Sequence, residues 1–342
     1  MSRISFEDGC RMLADADFFE LATLADETRK RMHPEGVVAY VIDRNINYTN
    51  ICTCKCSFCA FYKDIKDEGG YVISHELLRS KIDETKALGG TQILLQGGLH
   101  PELGIGFYED MMRFIKEQGV WIHGLSAPEI SHIAKLEGIS VEDTIKRLVA
   151  AGLDSIPGAG AELLVDSERQ LVSPNKISSD KWLGVMETAH GLGLKTTATM
   201  MFKKTDKVEH IIEHFDKIRS VQDRTGGFTA FIPWPYQPAN TELGGENVSA
   251  VEYLRLLAMA RIYLDNVPNI QVSWVTQGPK IGQTALRFGG NDFGSLMIEE
   301  NVVAACGVGF RMSIEEINNN IRKAGFIPAQ RDMQYNILRY FD

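Results

Sequence analysis

The feature that most limits the folds open to this 342-residue chain is a regular alternation of short β-branched segments with longer helical patterns. A glycine or a polar cluster closes nearly every strand-like segment, which is typical of consecutive βα units. The predicted strands are Val38–Asn45, Gln92–Gln96, Val120–Leu125, Leu153–Ile156, Lys195–Met201, Gly227–Ile232 and Ile270–Val275, with a short eighth near Gly294–Met297. Eight strands predict one closed (β/α)8 barrel of the TIM type, for which this length is ordinary.

The segments on either side of the barrel pattern have helical character and no linker-like composition. We predict a single domain over residues 1–342, made of a helical leader (1–36), the barrel (38–300) and a helical tail (301–342) with a helix over Ser313–Ala324. The functional groups of such a barrel lie on the loops that follow the strands. Several of these loops are rich in glycine, proline and polar residues, although glycine and proline also simply make turns.

Composition and charge exclude several classes of function. The net charge of −9 comes without long basic runs, which argues against nucleic acid as the main partner. No apolar run approaches the roughly 18 residues of a membrane helix, so we expect no membrane association. The first residues lack a basic-then-apolar export signal, and we therefore expect a cytoplasmic protein with reduced thiols. A small-molecule substrate fits these properties best.

Four of the six cysteines lie within eight residues, in the segment "CTCKCSFC". Cys52-x3-Cys56-x2-Cys59 offers three thiolates on one tight loop, which can hold a cubane iron–sulfur cluster and leave its fourth iron open. A structural zinc site is disfavoured because the thiols do not form two separated pairs, and buried packing cysteines do not cluster in this way. We predict Cys52, Cys56 and Cys59 as iron ligands and Cys54 as a bystander.

Polar residues near the ends of three predicted strands are further candidates. Gly97 and Gly98 follow Gln96 at the end of a buried strand, where missing side chains let the backbone approach a ligand. Glu129 and Glu162 could bind a ribose hydroxyl or an ammonium group, or could cap the helices that follow them. His100 could transfer a proton, although a lone histidine is more often a structural residue.

The segment "PWPYQP" at residues 233–238 combines a stiff backbone with aromatic side chains. Such a segment can present Trp234 to an aromatic substrate by stacking, or it can be a rigid connection that packs against the barrel. We favour a substrate-binding role.

The spacing of the three cysteines, with the aromatic Phe58 just before the last one, resembles the radical S-adenosylmethionine (SAM) superfamily. The resemblance implies a [4Fe–4S] cluster whose open iron chelates the amino and carboxylate groups of SAM, and whose electron yields a 5′-deoxyadenosyl radical. It also implies a set of residues around SAM: Phe58, Gln96, Gly97, Gly98, Ser126 and Glu129. An iron–sulfur electron carrier is the alternative from another class, but carriers complete their cluster with a fourth ligand.

Several segments, among them "TQILLQGGLHPELGI", "TGGFTAFIPWPYQP" and "SWVTQGPKIGQ", look like the cyclic dehypoxanthinyl futalosine synthase family of the futalosine route to menaquinone. The resemblance covers nearly the whole chain. Aminofutalosine synthases and deazaflavin-chromophore synthases share the cysteine loop and stay open as alternatives. One departure is Lys203-Lys204-Thr205-Asp206, where the family usually places a glycine and a short polar turn.

This resemblance implies dehypoxanthine futalosine, a ribose-linked benzoate, as the substrate, and an electron donor such as flavodoxin or ferredoxin. A hydrogen leaves the sugar, the sugar carbon bonds to the benzene ring, and an electron and a proton are lost. We expect Trp234, Gln237 and Gln277 to contact the substrate, and His100 and Glu162 to have catalytic roles. The sequence does not identify the residue that accepts the proton; His100 and a carboxylate on the active face are both candidates.

Overall fold

The computed structural model describes residues 3–341 and consists of parallel strands surrounded by helices. The strands are β1 (Val37–Val41), β2 (Asn45–Asn47), β3 (Gln92–Gln96), β4 (Trp121–Gly124), β5 (Ser155–Ile156), β6 (Lys195–Phe202), β7 (Phe228–Pro235), β8 (Asn269–Ile270), β9 (Asp292–Ser295), β10 (Ile327–Arg331) and β11 (Ile337–Tyr340). The helices are α1 (Phe6–Asp15), α2 (Phe18–Met32), α3 (His75–Ala87), α4 (Ile105–Lys116), α5 (Ala127–Glu137), α6 (Val141–Ala151), α7 (Asp166–Val172), α8 (Ser179–Gly191), α9 (Val208–Thr225), α10 (Ala250–Tyr263), α11 (Trp274–Gln277), α12 (Pro279–Ala285), α13 (Val302–Ala305) and α14 (Ile314–Lys323).

Backbone pairing runs around a closed ring of eight strand positions. Strands β2 to β8 pair in parallel in chain order, and β1 pairs in parallel with β9. Since β1 and β2 are separated only by residues 42–44, they together occupy the place of the predicted first strand. The ring is completed next to β8, where the Val272 N–H donates to the Asp292 carbonyl at 2.9 Å. The predicted eight-stranded barrel is confirmed.

The predicted seventh strand is too long at its C-terminal end. It was expected to continue to Val275, but β8 ends at Ile270 and α11 begins at Trp274. The Ser273 hydroxyl lies 2.7 Å from the Thr276 hydroxyl, and the latter also donates to the Ser273 carbonyl at 3.1 Å. Local bonds of this kind compete with strand pairing and turn the chain into a short helix.

The C-terminal tail is not wholly helical, which corrects that part of the prediction. Helix α14 matches the predicted helix and begins at Ser313 with a capping box to Glu316. Beyond it, β10 pairs in parallel with β1, and β11 pairs antiparallel with β10. The segment of β10, Ile-Pro-Ala-Gln-Arg, has no alternating apolar pattern, so only its pairing with a strand about 290 residues earlier defines it.

The helical leader is as predicted, and it packs on the outside of the barrel. Ser5 caps α1 and Asp17 caps α2, each by accepting backbone N–H groups of the first turn. Helix α1 packs on α9, and α2 packs on α10. Helix α10 lies under the leader and buries most of its residues, which explains why its apolar residues are distributed around the whole helix.

The buried His214 on α9 makes stability dependent on pH. Its Nδ1 accepts the Leu164 N–H at 3.0 Å, and burial, with the charges of Lys217 and Arg169, lowers its pKa to about 3. Because the pKa of histidine in the unfolded chain is near 6.5, this contribution to stability is complete above pH 6.5. It is lost at up to about 1.4 kcal/mol per pH unit as the pH falls toward 3.

We therefore expect the Tm of the wild type to fall more between pH 7 and pH 5 than the Tm of His214→Gln, in which nothing titrates at this position. The exposed His75 provides the control, and His75→Gln should follow the wild type. Differential scanning calorimetry at the two pH values measures both differences. Equal losses of Tm in the wild type and His214→Gln would contradict the assignment.

Candidate active site

A cavity of about 410 Å³ extends from the loops at the C-terminal ends of the strands into the barrel. It brings together most of the residues predicted from the sequence. Its lining includes Cys52, Cys54, Cys56, Phe58, Cys59, Gln96, Gly97, Gly98, Ser126, Glu129, Glu162 and Trp234. Residues from five separate loops and strand ends thus meet in one place, as expected for the active face of a barrel.

The cysteine loop is fixed to the loop after β3 by backbone hydrogen bonds. The Thr53 N–H donates to the Leu99 carbonyl at 3.0 Å, and the Leu99 N–H in turn donates to the Cys52 Sγ at 3.3 Å. The Cys52 N–H donates to the Lys63 carbonyl at 3.0 Å, which closes the loop on its other side. These bonds hold the first thiol in place without a bound group.

The thiols of this loop have unequal acidities. Hydrogen bonds with the Cys54 thiol lower the pKa of Cys52 to about 6 and also lower the pKa of Cys56. The same bonds raise the pKa of Cys54, while burial raises the pKa of Cys59. Thiolate is the form that binds iron, so two of the three predicted ligands favour the binding form.

The donor set has the chemistry that an iron–sulfur cluster requires, since three thiols of one tight loop face one cavity. Within residues 3–341, no three His, Cys, Asp or Glu side chains are already gathered around one point as metal ligands. Cys54 also lines the cavity and lies between two of the predicted ligands. The choice of Cys52, Cys56 and Cys59 over a set that includes Cys54 stays a prediction.

The glycine pair after β3 permits a close approach between two loops. A Cβ atom on Gly98 would lie 2.2 Å from the Ile51 carbonyl oxygen and 2.9 Å from the Cys52 Cβ. A Cβ atom on Gly97 would lie 2.5 Å from the ring of Tyr48. The pair is thus required by packing against the cysteine loop, in addition to leaving backbone open to the cavity.

Glu129 is a helix-capping residue and a cavity residue at once. It forms the capping box of α5 with Ser126, whose N–H donates to Oε2 at 2.7 Å. Its Oε1 accepts the Tyr48 hydroxyl at 2.8 Å and the Gly97 N–H at 3.0 Å. Burial raises its pKa, against the effect of these hydrogen bonds. The carboxyl group therefore positions the glycine loop, and both roles considered for it from the sequence are compatible with its location.

Glu162 forms a buried ion pair with Lys176 in the cavity wall. The Lys176 ammonium lies 5.1 Å from the centre of the Phe58 ring, beside the cysteine loop. Burial would lower the pKa of Lys176, but Cys56 and Glu162 raise it. The buried Arg169 fixes the same region, since its Nη2 donates to the Ile177 carbonyl at 2.6 Å and to the Gly160 carbonyl at 3.2 Å.

Three predicted site residues do not line the main cavity. The His100 Nδ1 accepts the Glu102 N–H at 3.1 Å, and its carbonyl accepts a bond from His132 at 2.8 Å, which is a structural environment. Gln237 lines a separate cavity of about 40 Å³ with Trp234, and its amide donates to the Pro235 carbonyl at 3.0 Å. Gln277 is the last residue of α11, whose other residues line the cavity, but it is not itself part of the lining. The roles predicted for these residues receive no support from their positions.

Sequence reasoning missed several polar residues of the cavity. They are Lys176, His123, Asn45 and Arg331, which come from a loop, two strands inside the barrel and the C-terminal tail. None of them belongs to a recognisable motif. Of these four residues, only Asn45 and His123 could have been predicted from the sequence. Both fall in predicted strands, so the strand register could have assigned them to the barrel interior.

The unusual loop after β6 lies outside the main cavity lining. Lys203 contacts Asp206 at 2.6 Å and Glu168 at 3.1 Å, and Lys204 pairs with the exposed Glu246. Lys203 thus ties the loop to α7, and the departure from the usual family pattern changes ion pairs at the rim of the barrel.

The sequence matches two family profiles that together cover most of the chain. The Radical SAM superfamily profile matches residues 46–218, and the profile described as "CofH/MqnC C-terminal region" matches residues 225–341. The fold and the thiol-lined cavity define a radical SAM barrel, and the chain belongs to the radical SAM superfamily. Enzymes of this superfamily use a [4Fe–4S] cluster and SAM.

Relatives that align with nearly the full length of this chain show which members of the superfamily it is similar to. The chain is 46% identical to cyclic dehypoxanthine futalosine synthase of Streptomyces coelicolor, over 99% of this chain and 87% of the relative. It is 42% identical to the protein of the same name from Halalkalibacterium halodurans, over 99% of this chain and 93% of the relative. It is also 39% identical to 5-amino-6-(D-ribitylamino)uracil–L-tyrosine 4-hydroxyphenyl transferase of Methanococcoides burtonii, over 97% and 95% of the two chains.

Solved structures share the fold at low sequence identity. The [FeFe]-hydrogenase maturase HydG superposes with a TM-score of 0.76 at 15% identity, over 96% of this chain and 73% of that chain. Methylornithine synthase (PylB) superposes with a TM-score of 0.72 at 16% identity, over 96% and 94%. These likenesses support the barrel alone.

Among residues 3–341, no helix is long and apolar enough to cross a membrane.

Proposed function

We propose that this protein is a radical SAM enzyme that cyclises dehypoxanthine futalosine in menaquinone biosynthesis. One observation carries the proposal: two relatives with 42–46% identity over 99% of this chain are both named for this reaction. The cavity agrees with that chemistry, since thiols, a glycine pair and an aromatic residue line one space.

The bound cluster and SAM supply a 5′-deoxyadenosyl radical. In the proposed reaction, a C–H bond of the sugar is replaced by a bond from that carbon to the benzene ring. One electron and one ring proton are lost, and aromaticity is restored. A carbon radical attacks almost any C–H bond, so the protein must hold the substrate in contact and exclude water.

The chain's own residues divide this work along the cavity. We assign Cys52, Cys56 and Cys59 to iron, and the exposed backbone of Gly97 and Gly98 to the polar end of SAM. Glu129 keeps the glycine loop in place through the Gly97 N–H. Trp234, on the opposite wall, offers an aromatic face to the substrate. The electron that reduces the cluster would come from a small electron donor such as a flavodoxin or ferredoxin.

A second reaction has support from the relatives at 35–39% identity that are named 5-amino-6-(D-ribitylamino)uracil–L-tyrosine 4-hydroxyphenyl transferases. Their identity to this chain is lower, but their coverage is similar.

The test is an anaerobic assay of reconstituted, reduced protein with SAM and each candidate substrate in turn, read by mass spectrometry. We expect dehypoxanthine futalosine to give a product two mass units lighter, together with 5′-deoxyadenosine. Turnover of only tyrosine with 5-amino-6-(D-ribitylamino)uracil would replace the proposed substrate by the second pair. Absence of 5′-deoxyadenosine with every substrate would overturn the proposal.

A further inference from the structure

The inner end of the cavity is a polar site that none of the assigned roles uses. Asn45 on β2 and His123 on β4 both pair with Leu94 on β3, so these three residues lie in one layer of the barrel interior. All three line the cavity. The C-terminal tail adds Arg331, the last residue of β10, to the same lining. Burial lowers the pKa of His123, and the charge of Arg331 contributes to the same shift.

Several polar atoms at this end have no partner within the described residues. The Arg331 Nε donates to Asp292 at 2.6 Å and its Nη1 to the Asp332 carbonyl at 3.0 Å, while Nη2 makes no hydrogen bond. The His123 Nδ1 lies 2.8 Å from the Ser155 hydroxyl, and its Nε2 makes none. The buried Asn45 Oδ1 also has no partner.

Such atoms point to a ligand, because a buried donor without an acceptor is costly and a bound group that satisfies it is favoured. Arg331 and His123 are only 3% and 7% exposed and both line the cavity, so their free nitrogens are reached from the cavity. The ring of Tyr335 lies under the guanidinium, 4.0 Å from its carbon, and keeps the plane of the group fixed. The arginine is therefore held in one orientation before a ligand binds.

The unbonded Arg331 Nη2 favours an anion at this position, although the cavity lining also holds the carboxyl groups of Asp43, Glu129, Glu162 and Glu300. The lysine and arginine residues of the lining are Lys176 and Arg331, and Lys176 is already paired with Glu162 beside the cysteine loop. Of the two carboxyl groups near Arg331, Asp292 is bound by the arginine itself. The other, Asp43, is bonded to the Ser295 hydroxyl, and burial raises its pKa toward the neutral form. The free N–H group of arginine matches an oxygen of a carboxylate, and His123 adds a second donor in the tautomer whose proton is on Nε2.

We propose that Arg331 and His123 bind the carboxylate of the substrate's benzoate ring. This inference rests on the proposed function. The sugar must lie at the cysteine end, where its hydrogen is removed, so the ring carboxylate extends toward the other end of the cavity. Arg331 thereby determines specificity for an acid over its uncharged analogues, and the tail of the chain completes the active site.

The experiment compares dehypoxanthine futalosine with its carboxamide by calorimetric titration of the reconstituted protein with SAM. We expect the wild type to bind the acid about 10- to 100-fold more tightly, as for a charge-assisted hydrogen bond. Arg331→Gln should bind the two ligands about equally, and His123→Asn should lose part of the preference. The control is Arg261→Gln, at another fully buried arginine that bonds backbone carbonyls outside the cavity, and it should keep the preference.

The outcomes separate the two proposals. Equal binding of acid and carboxamide by a wild type that cyclises the acid would overturn the carboxylate site alone. A preference that persists in both Arg331→Gln and His123→Asn would also overturn it. Circular dichroism would detect whether Arg331→Gln folds. If it does not fold, the binding preference of His123→Asn tests the carboxylate site. If the wild type neither binds nor converts the acid, the proposed function fails and this inference fails with it.

Discussion

Replacement of Cys52, Cys56 or Cys59 by alanine is expected to remove the iron–sulfur cluster and all 5′-deoxyadenosine formation, whereas Cys54→Ser should keep both. The three predicted ligands have the spacing that leaves one iron open, and all line the cavity. A variant that lacks one of these thiolates leaves one iron without its protein ligand. Iron and sulfide analysis after anaerobic reconstitution measures the first effect, and mass spectrometry measures the second.

Cys54 is the matched control because it lies on the same loop and lines the same cavity. It differs from the others in its effect on acidity, since its thiol lowers the pKa values of Cys52 and Cys56. We therefore expect Cys54→Ser to bind the full complement of iron but to load it more slowly. Loss of the cluster in Cys54→Ser, with retention in one of the other variants, would mean that the ligand set includes Cys54.

Gly98→Ala is expected to destabilise the protein by about 1–3 kcal/mol or more and to impair cluster binding at the same time. The added Cβ would lie 2.2 Å from the Ile51 carbonyl oxygen, a backbone atom that cannot rotate away. The cysteine loop must then shift relative to β3, and the bonds between Leu99 and the loop residues Cys52 and Thr53 would be lost. Urea unfolding of the apoprotein and iron content after reconstitution measure the two effects.

Gly184→Ala provides the comparison, since Gly184 lies inside α8 and a Cβ there would meet no atom within 4 Å. Alanine is favoured over glycine in a helix by about 1 kcal/mol, so this variant should be as stable as the wild type or more stable. Its iron content should not change. Wild-type stability and iron content in Gly98→Ala would refute the role of this contact in holding the cysteine loop.

The fold was largely predictable because its signals are local. Apolar periodicity, polar caps and terminal glycines mark each βα unit within about 30 residues, and eight units close into a barrel. The cysteine spacing was equally local, since Cys52, Cys56 and Cys59 lie on one loop and need no distant partner to be recognised. The sequence by itself therefore determined the barrel, the superfamily and the predicted metal ligands.

Only the tertiary structure decided which other polar residues share the cavity. Glu129 and Gly97 are 32 residues apart, yet one hydrogen bond joins them, and no periodic pattern predicts that contact. His100 follows the glycine pair in sequence, but its Nδ1 accepts the Glu102 N–H in the same loop and it does not line the cavity. Side-chain direction depends on hydrogen-bond partners that the fold brings near, which is why three of the predicted site residues lie elsewhere.

The C-terminal tail shows the same dependence on tertiary structure for a whole strand. The segment that contains Arg331 lacks the alternation of a strand, and it becomes β10 only by pairing with β1. That pairing carries Arg331 into the barrel interior, beside a histidine more than 200 residues earlier in the chain. Local sequence patterns determined the elements and the thiol loop. Long-range strand pairing determined the inner end of the cavity, because its residues meet only when the barrel is closed.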